Sequence, residues 1–266
     1  MNNTTLAKHD RVWPYASVLA LALSQAIASG NVSANSPDIP VMAQVQARSP
    51  SASQTLTSRQ QAIVPIAAFA AAGDITKLST ALSQGLDAGL TVNDAKEVLV
   101  QLYAYAGFPR SLNALGELMQ VLEARKLRGI QDVQGRAPGS SIPKGDALLA
   151  AGTANQTRLL GGPVKGALFD FAPAMDEYLK THLFGDIFER DNLDWQSREL
   201  ATVGMLSALP GAESQLQSHM GVSMNVGLSV AQLRQLVDVL SDRADIQYSN
   251  RAREALARSL AAAATR

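Results

Sequence analysis

The chain has 266 residues, of which 47% are hydrophobic but only 5% aromatic, and its basic and acidic residues balance at 23 each. This balance, without a clustered basic patch, argues against a nucleic acid partner. The absence of cysteine excludes disulfides, thiolate metal sites and thiol peroxidase chemistry.

The N-terminus is typical of an export signal. Lys8 and Arg11 precede the apolar stretch "VWPYASVLALALSQAIAS", which is shorter than the about 20 apolar residues that span a membrane. The small-x-small cleavage pattern occurs at 26–28 and again at 32–34. We predict a signal peptide over 1–28, a periplasmic or secreted protein, and no stable membrane span after processing. The alternative is an uncleaved anchor or an N-terminal helix.

Two segments of the chain resemble each other, one beginning at Ser58 and the other at Ser197. Each begins Ser-Arg, continues as an apolar helix, turns at a glycine and forms a second helix. That helix closes at "GLT" or "GLS", and a third, amphipathic helix follows. Because Ala and Leu dominate the apolar content and β-branched runs are scarce, we predict an all-α fold with two tandem helical units.

The ends of these helices carry local signals. Gly89 and Gly227 stand where a helix C-terminus favours a residue that tolerates positive φ. Thr91 and Ser229 follow as N-caps of the third helix in each unit.

Composition sets the remaining boundaries. Residues 29–57, rich in Ser, Pro, Gln and Asn, are predicted to form a disordered linker. The first unit covers 58–128, a linker covers 129–165, and the second unit covers 166–266. The part of the linker at 129–145 is loop-like from its Gly, Pro and Ser content. The amphipathic segment 171–190, with Pro173 near its first turn, leads into the second unit.

The stretch "SRELATVGMLSALPGAESQLQSH" predicts a helix hairpin that turns at Pro210-Gly211. With helices over 197–209 and 212–226, Glu199 lies about 16 Å before the turn and His219 about 12 Å after it. The two side chains are therefore level, and the carboxylate can fix the imidazole tautomer and raise its basicity. The alternative is a structural histidine, with Glu199 as a first-turn acid that favours the helix dipole.

The second segment resembles the carboxymuconolactone decarboxylase family, which shares its fold with alkylhydroperoxidase D-like proteins. The matching text is "RELATVGMLSAL" and "QLQSHMGVSMNVGLSVAQLRQL"; the first segment matches best at "GLDAGLTVNDAKEVLVQLYAYAGFPRSLNAL". The resemblance implies an all-α fold, with two alkylhydroperoxidase D-like units in this chain. It also implies homo-oligomers, either trimers or rings.

The resemblance also implies which chemistry is missing. In the peroxidase branch a glutamate, two cysteines and a histidine form a proton relay, with the cysteines seven and four residues before the histidine. Glu199 and His219 match this relay, but Ala212 and Gln215 stand at the cysteine positions. Thiol peroxidase activity is therefore disfavoured, although a label at the level of the family would include it.

The first unit lacks even the acid-base pair. Gln61 and Ala81 stand at its aligned positions, and neither can shuttle a proton. Any catalytic site is therefore expected in the second unit alone.

The decarboxylase branch needs no cysteine, so the resemblance implies a cofactor-independent lyase acting on a small carboxylated or lactone substrate. His219 would deliver a proton and Glu199 would orient it, while Arg198 is a candidate for binding a substrate carboxylate. His182 is a candidate to line the same cleft, with a surface or interface histidine as the alternative. Neither a cofactor nor a metal is expected, because two histidines after processing and no cysteine supply too few ligands.

A second function class remains open on the sequence: a non-catalytic helical oligomer for small-ligand binding or assembly. Export argues against the namesake reaction, because that substrate is an intracellular catabolic intermediate. An exported member is expected to act on a different substrate or on none.

Overall fold

The computed structural model describes residues 54–139 and 141–265, and within these ranges the regular secondary structure is helical, without a strand. The predicted all-α fold is confirmed. The predicted signal peptide and residues 29–53 of the predicted linker lie outside the described residues. No helix in the described part is long and apolar enough to cross a membrane.

Two sets of helices form most of the molecule. The first helix set comprises α1 (Ser58–Ala72), α2 (Ile75–Asp87), α3 (Val92–Gln101), the short α4 (Tyr103–Ala106) and α5 (Phe108–Leu127). Four elements follow it: α6 (Asp146–Leu160), α7 (Ala167–Phe171), α8 (Pro173–Tyr178) and a π-helix (Leu179–Ile187). The second helix set comprises α9 (Trp195–Ser207), α10 (Glu213–Asn225), α11 (Val230–Arg243) and α12 (Ile246–Ala264).

The long helices of the two sets make corresponding contacts. α1 packs on α2 and α5 as α9 packs on α10 and α12, and α3 packs on α5 as α11 packs on α12. Between the sets, α1 contacts α9 and α11, while α9 also contacts α3. This correspondence is compatible with two tandem units, and the duplication itself stays a prediction.

The predicted caps form as the sequence indicates. Gly89 and Gly227 adopt φ values of 94° and 97°, in the left-handed region. Thr91 caps α3 and Ser229 caps α11, and each forms a capping box with the third residue of its helix. The chain enters the fold before residue 58, because Leu56 is buried in the core and Thr57 caps α1.

The centre of the fold is the crossing of α1 and α9. Residues 62–71 of α1 and 197–207 of α9 are all buried. A Cβ atom added at Gly204 of α9 would lie 2.8 Å from the Val64 carbonyl oxygen and 3.2 Å from the Ala67 Cβ atom. Only glycine at this position therefore lets the two backbones lie in direct contact.

A lateral layer covers the flank of α10. α6 lies in the predicted linker 129–165, where the sequence did not predict a helix, and packs on both the π-helix and α10. The amphipathic segment predicted over 171–190 is helical through Ile187, but its part Leu179–Ile187 is a π-helix and not an α-helix. A small apolar cluster joins this layer to α10: Leu159, Leu183, Phe184, Ile187, Phe188 and Val222.

We expect Gly204→Ala to lower the free energy of unfolding by about 1–3 kcal/mol, because the new methyl group overlaps a backbone carbonyl that cannot move away freely. This loss outweighs the gain in helix propensity, which is about 1 kcal/mol for Gly to Ala. Urea denaturation followed by circular dichroism measures the difference.

Gly116→Ala is the matched control. Gly116 lies inside α5, and no atom outside its own helix backbone lies within 4 Å of the added Cβ atom. This substitution should stabilise the protein by about 0.5–1 kcal/mol through propensity alone. Equal effects of the two substitutions would show that the α1–α9 contact is not close-packed.

Candidate active site

The predicted hairpin forms from α9, α10 and the turn between them. Asp194 caps α9, since its carboxylate accepts hydrogen bonds from the backbone N–H and the hydroxyl of Ser197 at 2.8 and 2.9 Å. Gly211 adopts φ 88° in the turn, and its N–H donates to the Glu213 carboxylate at 3.0 Å. The helices end within three residues of the predicted boundaries, and the turn lies at Pro210-Gly211 as expected.

The hairpin brings Glu199 and His219 into direct contact. His219 Nδ1 lies 2.8 Å from Glu199 Oε2. The carboxylate is 1% exposed, whereas the imidazole is 15% exposed. The predicted pairing across the hairpin is therefore present in the structure, with the histidine on the more accessible side.

This geometry fixes the protons of the pair. An ionised carboxylate can only accept a hydrogen bond, so Nδ1 carries a proton. Nε2 is then the nitrogen that can exchange a proton with a substrate. Nε2 makes no hydrogen bond to any described residue. Glu199 Oε1 is also buried without a partner in the described part of the chain, so His219 is the group that compensates the burial of this carboxylate.

Tyr105 is a neighbour that no sequence signal marked. Its ring meets the His219 imidazole edge-on, with centroids 5.8 Å apart. Burial, followed by the nearby charge of Glu199, raises the pKa of the phenol, so Tyr105 remains protonated. Its hydroxyl lies 3.3 Å from the Thr202 hydroxyl, which accepts a hydrogen bond from Gln101 at 2.8 Å. The first helix set thus supplies one wall of the histidine site.

Arg198 does not join Glu199 and His219. It is fully buried, and its guanidinium donates to Glu97 Oε2 at 3.0 Å and to the Arg190 carbonyl at 2.9 Å. Adjacent residues of a helix point about 100° apart, so Arg198 faces α3 when Glu199 faces α10. The structure therefore gives the Arg198 guanidinium no hydrogen bond to Glu199 or His219, and its role in substrate binding stays a prediction.

His182 also lies apart from the pair. It projects from the π-helix with 58% of its side chain exposed, and its Nδ1 is 3.1 Å from Asp186 Oδ2. Its ring neighbour is Tyr178. The structure gives it no contact with Glu199 or His219, and its role in substrate binding stays a prediction.

Neither Glu199 nor His219 lines either of two clefts on the described surface. One, of about 360 Å³, lies by the N-terminus of α9 and includes Arg158 stacked on Trp195. The other, of about 380 Å³, lies between α3 and α5. Within the described residues, no group of three or more His, Asp or Glu side chains is placed to hold a metal ion.

The positions that carry cysteine in the peroxidase branch lie at the start of α10. Ala212 is the N-cap residue and Gln215 is exposed on the first turn. In the first helix set, Gln61 donates to the Leu56 carbonyl at 2.9 Å and Ala81 is buried in the core. These residues provide packing and backbone contacts, without a group that exchanges protons.

A model of a known protein family matches the part of the chain that contains the site. Residues 173–259 match the model of the carboxymuconolactone decarboxylase family, which confirms the resemblance read from the sequence. The match covers α8, the π-helix, α9 to α11 and α12 as far as Ser259, so it contains both Glu199 and His219. No curated protein matches the chain.

The ion pairs of Glu97 make the stability of the fold depend on pH. Burial raises the pKa of Glu97, but the hydrogen bonds from Arg190 and Arg198 together lower it by more than burial raises it. The pKa of Glu97 therefore lies below its usual range. In the unfolded chain a glutamate has a pKa of about 4.3. Because the pKa in the folded protein is lower, the ionised carboxylate stabilises the fold at pH values above about 4.3. This contribution is lost as the pH falls through the folded value.

We expect Glu97→Gln to lower the free energy of unfolding by about 3 kcal/mol at pH 7, because it leaves Arg198 buried without its partner. The difference from the unmodified protein should shrink as the pH falls below about 4.3. Urea denaturation at several pH values measures both effects. Glu123→Gln, at an exposed position of α5, is the control; a pH-independent difference for Glu97→Gln would contradict the prediction.

Proposed function

We propose that this chain, whose residues 173–259 belong to the carboxymuconolactone decarboxylase family, is a cofactor-independent lyase. Its reaction is acid-base chemistry on a small carboxylated or lactone substrate. Glu199 and His219 are the proposed catalytic pair.

The observation that carries this proposal is the hydrogen bond between the buried Glu199 carboxylate and His219 Nδ1. A carboxylate held against one imidazole nitrogen stabilises the imidazolium form and orients the ring. The other nitrogen, Nε2, belongs to the more exposed side chain of the pair and is available to give or take a proton.

The proposed step is protonation of a carbanion. When a carboxylated lactone loses carbon dioxide, the electron pair of the broken C–C bond remains on the ring as a delocalised dienolate. His219 Nε2 donates its proton to carbon, and the neutral imidazole regains a proton from solvent. The Glu199 carboxylate accepts the hydrogen bond from Nδ1 and stabilises the positive imidazole before the transfer.

Thiol peroxidase activity does not fit this site. The chain has no cysteine, so the part of the relay that would react with peroxide has no thiolate. What supports the lyase proposal is that the acid-base part of the site is complete without a thiol.

We also propose that the protein is exported and forms homo-oligomers, either trimers or rings. The basic and apolar segments of the N-terminus support export. Exposed apolar side chains of α7 and α8 support self-association: Leu168, Phe171, Met175 and Tyr178. The same side chains support the second candidate function, a non-catalytic helical assembly, because assembly alone would also cover them.

We expect His219→Asn to lower kcat by about 10²–10⁴-fold on whichever lactone is turned over, because general acid-base catalysis contributes a factor of this size. Asparagine is chosen because its amide can replace Nδ1 as the donor to Glu199, so the buried carboxylate keeps its partner. The measurement is carbon dioxide release from a panel of carboxylated lactones, together with the thermal melt of each variant.

Ser218→Ala, at the adjacent position of α10, is the control and should retain activity. Glu199→Gln should lower kcat and weaken its pH dependence, because the amide cannot stabilise the imidazolium. If the unmodified protein turns over no member of the panel, or His219→Asn retains full activity, the lyase proposal is wrong and the assembly function is favoured.

We expect multi-angle light scattering of the purified chain to give the mass of three or more chains, as a trimer or a ring requires. The double substitution Phe171→Glu and Met175→Glu should reduce the measured mass to that of one chain, because it places charges on an apolar interface. Leu127→Glu, a change at an exposed apolar residue of α5, should leave the assembly intact. A monomeric unmodified protein would refute the oligomer.

A further inference from the structure

The cleft between α3 and α5 has no role in the proposed lyase site. It has a volume of about 380 Å³, and its lining includes Pro138 and Asn192 from the segments that follow α5 and the π-helix. Its apolar wall consists of Val100, Leu115, Leu118, Met119 and Leu122. Clefts that bind small ligands have volumes of roughly 300–1,000 Å³ and are lined mainly by apolar side chains with a few polar groups. The cleft matches that description in size and in lining.

The charged groups of the cleft are not balanced. The charged side chains that line it are Lys96, Glu97 and Arg190. The Glu97 carboxylate accepts from Arg190 Nε at 2.9 Å and Nη2 at 2.7 Å. It also accepts from Arg198 at 3.0 Å. One carboxylate is therefore shared by two guanidinium groups.

Lys96 adds a further positive charge. It is exposed, and its ammonium forms no ion pair with any described residue. Arg190 uses Nε and Nη2 for Glu97, which leaves Nη1 without a hydrogen bond in the described part of the chain. The cleft thus combines an apolar wall with an excess of positive charge and unused donors.

We propose that this cleft binds a small organic anion, a carboxylate with an apolar body. The apolar body packs on the side chains of α3 and α5, and the carboxylate lies beside Lys96 and Arg190. Charge complementarity selects an anion over a neutral molecule of the same shape. This site is separate from Glu199 and His219, and the proposal does not rest on the lyase function.

The test is a fluorescence titration of the full chain with 1-anilinonaphthalene-8-sulfonate, an aromatic anion whose emission rises on transfer from water to an apolar site. Decanoate and decanol then compete for the bound probe. We expect decanoate to displace the probe at lower concentration than decanol. Equal displacement by the two would overturn the selectivity for an anion.

A substitution at Lys96 tests whether the probe binds in the cleft. Lys96→Gln should weaken probe binding by about fivefold, the effect of losing one partly exposed charge pair. Lys77→Gln is the control, at an exposed lysine of α2 that lies outside the cleft. Equal affinities of these two variants would contradict a role for Lys96.

Met119→Glu places a negative charge on the apolar wall and should weaken binding by about tenfold through repulsion of the anion. Met119 is 72% exposed, so this change is compatible with folding. Leu127→Glu, 80% exposed on the same helix but outside the cleft lining, should bind the probe normally.

Two further outcomes would overturn the proposal. If Met119→Glu lowers the mass in light scattering while probe affinity is unchanged, the cleft is a surface for a second copy of the chain. If His219→Asn weakens probe binding as much as Met119→Glu does, the probe occupies the histidine site. We expect His219→Asn to bind the probe with unchanged affinity even if it abolishes lyase activity.

Discussion

Direct backbone contact between α1 and α9 at Gly204 buries α9, so other helices must supply partners for its polar side chains. Because residues 197–207 of α9 are all buried, every polar side chain on that helix needs a partner inside the protein. Arg198 is hydrogen-bonded to Glu97, Glu199 to His219 and Thr202 to Gln101. These partners come from α3 and α10, so the same burial that packs the core also fixes the histidine.

Local sequence signals were sufficient for the elements that depend on local physics. Thr91 and Ser229 form caps because a hydroxyl next to free backbone amides satisfies them in any context. The Glu199–His219 contact followed from helix rise and the position of the turn alone, because both residues belong to one hairpin. The resemblance to the carboxymuconolactone decarboxylase family was also recognisable, since the matched residues include that hairpin.

Features that depend on distant parts of the chain were not predictable in this way. Arg198 carries the same charge whether it faces a substrate or a buried carboxylate, and only the position of α3 decides between them. Tyr105 reaches His219 from the other helix set, 114 positions away by residue number. The helix α6 and the π-helix depend on packing against each other, and no local pattern distinguished them from a linker and an ordinary helix.

The sharing of Glu97 by two arginines also has a consequence for biosynthesis. Glu97 meets Arg190 and Arg198 across 93 and 101 positions of sequence, so α3 is synthesised long before its partners. A carboxylate enclosed without its guanidinium partners is costly, on the order of several kcal/mol. We therefore expect α3 to reach its final packing only after α9 has been synthesised.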